Sequence, residues 1–141
     1  PTTSVATASI SEMLDDFHDA ASVADQVRYF GHFTPDAVFL GTDPAERWTI
    51  DAFRSWAKPY FQRDSAWTYV AIERHIEVGP GGKVGWFDEV VRNKNYGDLR
   101  GTGVVVLTGT KKRLSTNITS DACARYLFTA ETLSTLRNAE S

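Results

Sequence analysis

Cysteine and excess positive charge are the two features that this sequence most clearly lacks. The 141 residues contain a single cysteine, Cys123, so no internal disulfide can form. Acidic residues outnumber basic ones, 18 to 15, and the densest cationic run is residues 111–113. Because nucleic-acid binding requires clustered positive charge, we predict no nucleic-acid partner.

Long hydrophobic runs and targeting signals are also missing. The longest apolar run covers residues 104–107, whereas a membrane-spanning helix needs about 20 apolar residues. The first residues carry neither the basic nor the apolar segment of a signal peptide. We therefore predict a cytoplasmic protein with no membrane partner.

Motifs that bind metals or phosphates are absent as well. No two histidines have metal-ligand spacing, and Cys123 stands alone. The glycines at 79–82 flank a proline and join two strand patterns, which favours a hairpin over a phosphate-binding loop. We expect no metal and no cofactor.

The first half of the chain has helical patterns. Ser9 and Glu12 form a capping box that predicts a helix start, so residues 1–8 are expected to be a flexible N-terminus. A break near residues 21–23 precedes a shorter helix that ends at Gly31. Thr49 is placed to cap a third helix, with a kink or early end at Pro59.

From Trp67 onward the hydrophobic period changes to two, which indicates strands. The pattern predicts long strands over 67–78, 83–93 and 99–108, a fourth over 113–119, and a helical tail over 120–141. Hydrophobic residues make up 42% of the chain and charged residues 23%, as in an ordinary single domain. Helices followed by an antiparallel meander predict the α+β class.

Short motifs along this pattern resemble a known family. The chain is similar to the nuclear transport factor 2-like superfamily, and within it to SnoaL-like proteins of an uncharacterised bacterial subgroup. The similar segments are residues 34–43, 46–49, 67–69, 74–75, 86–89 and 100–103. The resemblance implies a cone-shaped domain over residues 9–119, with N-terminal helices packed on a curved antiparallel sheet around one pocket. It also implies a homodimer.

The tail departs from that family pattern. Such proteins usually end in a strand whose histidine faces the cavity, but residues 114–120 read Leu-Ser-Thr-Asn-Ile-Thr-Ser. Read one base earlier, permitted codons for this stretch give Leu-Ile-Asp-Gln-Tyr-His-Leu. We hypothesise that a frameshift replaced the last strand and the tail, which the codons of the gene can test.

Two groups of carboxylates are candidates for acid–base chemistry. Asp43 and Glu46 lie in the loop after the first short strand, where a carboxylate at a cavity mouth can act as a base, although Asp43 also suits a turn. Asp88 shares a strand face with Trp86, while Phe87 and Glu89 take the opposite face. Arg100 on the next strand is expected near Asp88, either as a structural ion pair or as a group that orients substrate.

Histidine and aromatic residues complete the predicted site. His75 lies in the first long strand, but Arg74 interrupts the alternating apolar face, so the pattern leaves open which face lines the cavity. His18 is predicted to be a partly buried structural histidine. The expected pocket walls are aromatic residues: Phe17, Trp48, Trp67, Tyr69 and Trp86.

The leading hypothesis is a cofactor-independent enzyme that acts on a small, mainly apolar organic ligand. Asp43 or Asp88 would be the base, with His75, Tyr69 and Arg100 polarising or orienting the substrate. Isomerisation, dehydration, cyclisation and hydration all remain open, because this fold hosts many chemistries. The alternative is a non-catalytic module that binds a ligand or dimerises, which an altered last strand would favour.

Overall fold

The computed structural model describes residues 2–40, 45, 47–108 and 111–114. Its helices are α1 (Thr2–Ser22), α2 (Gln26–Gly31) and α3 (Ile50–Phe61). Its strands are β1 (Val38–Leu40), β2 (Arg47–Thr49), β3 (Val70–Val78), β4 (Val84–Asn93), β5 (Gly97–Thr108) and β6 (Lys111–Leu114). Within this part of the chain, no helix is both long enough and apolar enough to cross a membrane.

The first two helices follow the predicted break. α1 ends at Ser22 and α2 begins at Gln26, but α1 starts at Thr2 instead of at the predicted Ser9. Asp25 is the N-cap of α2, because its side chain accepts a hydrogen bond from the backbone N–H of Arg28 at 3.1 Å. Ala24, with φ of 56°, takes the left-handed conformation that reverses the chain between the helices.

The third helix is capped as the sequence predicts. The Thr49 hydroxyl accepts from the backbone N–H of Ala52 at 3.2 Å. Pro59 was expected to end or kink the helix, but the helix continues to Phe61. Tyr60 and Phe61 are both buried in the core, and this burial offsets the hydrogen bond that proline cannot donate.

The long strands form one antiparallel meander in the order β3-β4-β5-β6, and β1 pairs separately with β2. The predicted meander and the α+β class are therefore confirmed, and the sheet stays open. β2 was not predicted, and β3 begins at Val70 instead of Trp67. The fourth strand, predicted over 113–119, is β6 and begins earlier, at Lys111, with residues 111–114 in the strand. Residues 115–119 and the predicted helical tail lie outside the described residues.

One face of the sheet, here called the inner face, packs under α1, and the outer face is exposed. On β4 the inner residues Gly85, Phe87, Glu89, Val91 and Asn93 are all buried. On β3 the register shifts between Ala71 and Glu73, which marks a β-bulge. The bulge places Ala71, Arg74 and Ile76 on the more buried side, whereas Ile72 and His75 are exposed.

Aromatic rings fill the space between the helices and the inner face. Tyr29 stacks on Phe17 with ring centroids 4.3 Å apart, and Phe39 stacks on Phe53 at 4.2 Å. α1 also approaches the sheet closely, since a Cβ added to Gly85 would lie 2.9 Å from Cδ1 of Ile10. Each such ring pair contributes ~1 kcal/mol beyond simple burial, so this cluster fixes how α1 lies over the sheet.

Candidate active site beneath the first helix

A buried carboxylate lies at the centre of the inner face. Glu89 is only 1% exposed, although it sits in the middle of β4 among apolar residues. Both of its oxygens lie 3.1 Å from Nε2 of His18 on α1. Nη2 of Arg74 on β3 donates to the same two oxygens at 3.1 and 3.4 Å. Glu89 therefore joins the helix to two strands of the sheet.

The Glu89 carboxyl is held in its ionised form. Burial would raise the pKa of Glu89, but the hydrogen bond and charge of His18 and the charge of Arg74 outweigh burial and lower it below its ordinary value. An ionised carboxylate only accepts hydrogen bonds, so Nε2 of His18 must carry the proton between them. In the neutral ring, Nδ1 is then the acceptor.

Local packing on α1 orients the His18 ring. The neighbouring Phe17 ring meets it edge-on with centroids 5.5 Å apart, and Phe17 itself is stacked against the buried Tyr29. The His18 side chain is 11% exposed. A carboxylate partner on one side and a fixed aromatic ring on the other leave the imidazole little freedom to rotate.

A pocket opens beside His18. It has a volume of about 250 Å³. One wall is formed by α1 residues and the other by the start of β3: Asp15, His18, Asp19 and Ser22 on the helix, with Thr68, Tyr69, Val70 and Ala71 opposite. The pocket therefore offers a small molecule one partly apolar wall, with a histidine in the facing one.

Arg74 contacts Asp15 in the wall of this pocket and also lines a second, more open groove. Nη1 of Arg74 donates to the backbone O and Oγ of Ser11 at 3.0 and 2.9 Å, and to Asp15 Oδ1 at 2.8 Å. The groove beyond it measures about 350 Å³ and is lined by Thr7, Ala8, Ser11, Arg74 and Ile76. The guanidinium thus ties the middle of α1 to Glu89.

The predicted contact between Asp88 and Arg100 is confirmed, but it lies on the outer face. Nη1 of Arg100 donates to Asp88 Oδ1 at 3.1 Å, and both side chains are close to half exposed. His75 is opposite Asp88 in the β3–β4 register, and its side chain is 62% exposed. Trp86, two residues before Asp88, is 47% exposed. Asp88, Arg100, His75 and Trp86 therefore lie together on the outer face. The sheet separates them from the pocket under α1.

The other predicted wall residues lie on the helix side of the sheet. Trp67 and Tyr69 are buried, and Tyr69 lines the pocket beside His18. Burial raises the pKa of the Tyr69 hydroxyl. Phe17 contacts His18 as described, and Trp48 packs against Phe53 and Trp56 at the far end of the core. Asp43 and Glu46 lie outside the described residues.

Sequence reasoning did not assign His18, Arg74 and Glu89 to the site. The signal was the arginine that interrupts the apolar alternation of β3 and the glutamate that alternates with Phe87 and Val91 on β4. A charged residue at an apolar position on each of two adjacent strands indicates a buried ion pair. Among the described residues, no cluster of histidine, cysteine and carboxylate side chains is arranged to hold a metal ion.

A family described as the SnoaL-like domain matches residues 10–116, a range that includes His18, Arg74 and Glu89. No curated protein matches the chain.

Solved structures of similar shape share little sequence with this chain. A nuclear transport factor 2-like protein of unknown function from Pseudomonas putida is 13% identical with a TM-score of 0.62, covering 79% of this chain and 83% of that one. A putative scytalone dehydratase from Novosphingobium aromaticivorans is 14% identical with a TM-score of 0.62, covering 78% and 79%. A protein of unknown function from Mycobacterium tuberculosis is 15% identical with a TM-score of 0.62, covering 96% and 94%. At these identities the likeness establishes the fold alone.

Proposed function

We propose a function from one premise, that the chain belongs to the SnoaL-like domain family and has its nuclear transport factor 2-like fold. The proposed function is cofactor-independent acid–base catalysis on a small, mainly apolar organic molecule bound beside α1. His18 is the proton acceptor and Glu89 is the carboxylate that orients it. The proposal replaces Asp88 by Glu89 as the carboxylate in use, because Glu89 is the one beneath the helix.

The observation that carries this proposal is the contact between Glu89 and His18 at the edge of a pocket. A buried carboxylate that accepts the Nε2 proton fixes the histidine tautomer, so that Nδ1 is the basic atom of the ring. When Nδ1 takes a proton, the negative charge of Glu89 stabilises the imidazolium that forms. A histidine placed in this way typically accelerates proton transfer by ~10²–10⁴-fold.

The reaction class follows from the chemistry of a single base next to an apolar wall. Removal of a proton beside a carbonyl group begins an isomerisation, a dehydration or an intramolecular cyclisation, and none of these requires a redox group. The pocket volume of about 250 Å³ fits a small molecule. Similarity of fold to a putative scytalone dehydratase is compatible with the dehydration reading.

The test uses proton exchange, because it needs only the first step of such a reaction. A panel of small aromatic and aliphatic ketones and β-hydroxy ketones is incubated with the protein in D₂O, and loss of the α-proton signal is followed by NMR. We expect exchange above the buffer rate for at least one compound class. His18→Gln and Glu89→Gln should lower that rate by about 100-fold or more.

Glu77→Gln is the matched control, since Glu77 is an exposed carboxylate on β3, paired in register with Trp86. It should keep the rate of the parent protein. An undiminished rate in folded His18→Gln would contradict the proposal. Loss of the rate in Asp88→Asn or His75→Gln, with His18→Gln active, would assign the chemistry to the outer-face residues instead. Binding without exchange would favour the non-catalytic module.

A homodimer through the outer face is the second part of the proposal. Three large apolar side chains are exposed there at 42–47%: Ile72, Val84 and Trp86. An exposed apolar area of this kind on the outer face of the sheet favours pairing with a second copy. Light scattering after gel filtration should give a dimer mass for the parent protein and a monomer mass for Trp86→Lys. Val27→Lys on α2, where Val27 is 85% exposed, is the control, and a monomeric parent protein would overturn the idea.

A further inference from the structure

Arg74 and His18 both contact the carboxylate of Glu89. Its Nη2 and the His18 Nε2 both lie 3.1 Å from Glu89 Oε1. The Arg74 side chain is 10% exposed and the Glu89 side chain is 2% exposed, so water screens this contact little. Arginine stays protonated at every accessible pH, whereas histidine gains or loses its proton near neutrality.

The charges around Glu89 determine how strongly its carboxylate favours a protonated ring at His18. With Arg74 present, the buried negative charge has a permanently charged partner, which also contacts the exposed Asp15. Without Arg74, His18 would be the remaining group in the cluster able to supply a positive charge, and a buried unpaired carboxylate is costly. Glu89 would then favour the protonated form of the His18 ring more strongly.

We propose that Arg74 is a positioning residue that weakens the attraction of Glu89 for a second proton on the His18 ring, by supplying part of the positive charge that the buried carboxylate requires. This inference rests on the proposed function for its meaning in catalysis, but its physical content concerns only how many protons the His18 ring holds. Arg74 is well fixed for this role, because Ser11 and Asp15 on α1 hold its other Nη atom.

Other charged or titratable groups also face His18. They are Asp15 and Asp19 on α1, Arg74 on β3, Glu89 on β4 and Tyr69 across the pocket, with His32 on the far side of the Phe17 ring. Asp15 and Asp19 are 67% and 61% exposed, and each contacts an arginine, Arg74 and Arg28 respectively. Solvent and these partners weaken their effect, so Arg74 and Glu89 dominate the surroundings of the ring.

The experiment is an NMR titration of the histidine ring protons in the parent protein, Arg74→Gln and Arg74→Lys. Removing the positive charge in Arg74→Gln should move the midpoint of the His18 titration to higher pH by about one unit. Arg74→Lys keeps the charge and should leave the midpoint near that of the parent. His75, exposed on the outer face, is the internal reference and should not move.

The outcomes separate the two proposals. An unchanged or lowered His18 midpoint in folded Arg74→Gln overturns the role of Arg74. If Arg74→Gln does not fold, the neutral variant Arg74→Met takes its place, and an unchanged His18 midpoint there overturns the role of Arg74. A raised midpoint in Arg74→Lys also overturns it, because that variant keeps the charge. Glu89→Gln tests the proposed function in the same titration and should lower the His18 midpoint. A lowered midpoint in Glu89→Gln without a rise in Arg74→Gln would leave the Glu89–His18 pair intact and reject only the role of Arg74.

Discussion

Two neighbouring carboxylates on β4 form ion pairs of the same length in very different surroundings. Glu89 lies 3.1 Å from Arg74 on the inner face, and Asp88 lies 3.1 Å from Arg100 on the outer face. The Glu89 side chain is 2% exposed and the Asp88 side chain is 42% exposed. At equal distance the two ion pairs differ chiefly in exposure to solvent, because water screens the outer pair strongly and the inner pair little. Distance by itself therefore says little about which pair matters.

The largest expected effect is the loss of the inner carboxylate. Glu89→Gln leaves the largely buried Arg74 charge with the exposed Asp15 as its remaining carboxylate partner, and it should lower the free energy of unfolding by about 3 kcal/mol. Urea denaturation followed by tryptophan fluorescence measures it. Asp88→Asn, one residue away, is the matched variant and should change the same quantity by less than about 1 kcal/mol. Equal losses in the two variants would show that burial does not distinguish the pairs.

The close approach of α1 to the inner face gives the next largest effect. A Cβ at Gly85 would meet Ile10 Cδ1 at 2.9 Å and the backbone oxygen of Glu77 at 3.1 Å. Gly85→Ala should therefore destabilise the protein by about 2 kcal/mol, because the fully buried Ile10 side chain and the β3 backbone at Glu77 must both give way to the added methyl group. Gly31→Ala is the control, since nothing lies within 4 Å of its added Cβ. A thermal melt in which both variants match the parent would show that α1 packs more loosely than described.

Acid should weaken the inner pair in a predictable direction. The folded-state pKa of Glu89 is lowered from its ordinary value of 4.5, so its contribution to stability is present above that value and is lost as pH falls through the folded-state pKa. Stability of the parent should fall more steeply in acid than that of Glu89→Gln, by at most about 1.4 kcal/mol per pH unit. Asp16 and Asp98, whose pKa values are also lowered, titrate in both proteins and cancel. If the free energy of unfolding changed with pH by the same amount in the parent and in Glu89→Gln, this prediction would be contradicted.

The outer pair should give the smallest effect. A double-mutant cycle of Asp88→Asn and Arg100→Gln should yield a coupling free energy of no more than about 0.5 kcal/mol that shrinks in high salt. The corresponding cycle on Glu89 and Arg74 should give a larger value that salt hardly changes. A strong, salt-resistant coupling on the outer face would mean that a second copy of the chain covers it.

The sequence predicted the elements better than it predicted the site. Capping by Thr49, the stop at Gly31 and the period-two strands are local signals, and the helix break and the meander follow from them. Alternation on β4 correctly separated Asp88 from Glu89. It did not say which face meets the helices, so the predicted site used the outer-face residues Asp88, Arg100 and His75.

The β-bulge at Ile72 explains why His75 does not share a face with Ala71. Strict alternation groups His75 with Trp67, Tyr69 and Ala71 on one face, but the bulge shifts the register after Ala71 and exposes His75. One extra residue in a strand reverses the orientation of everything that follows. No local composition signal marked this position, because Ile72 is an ordinary strand residue.

What the amino-acid sequence determined by itself is the order of helices and strands, their caps and turns, and the family, because these depend on patterns within short segments of chain. Which face of the sheet is covered, and the meeting of His18, Arg74 and Glu89, were decided only by the tertiary structure. His18 and Glu89 are 71 residues apart in the chain, and only packing of α1 across the bulged sheet brings them to 3.1 Å. Long-range contacts of this kind arise from the burial of whole surfaces, which no single segment encodes.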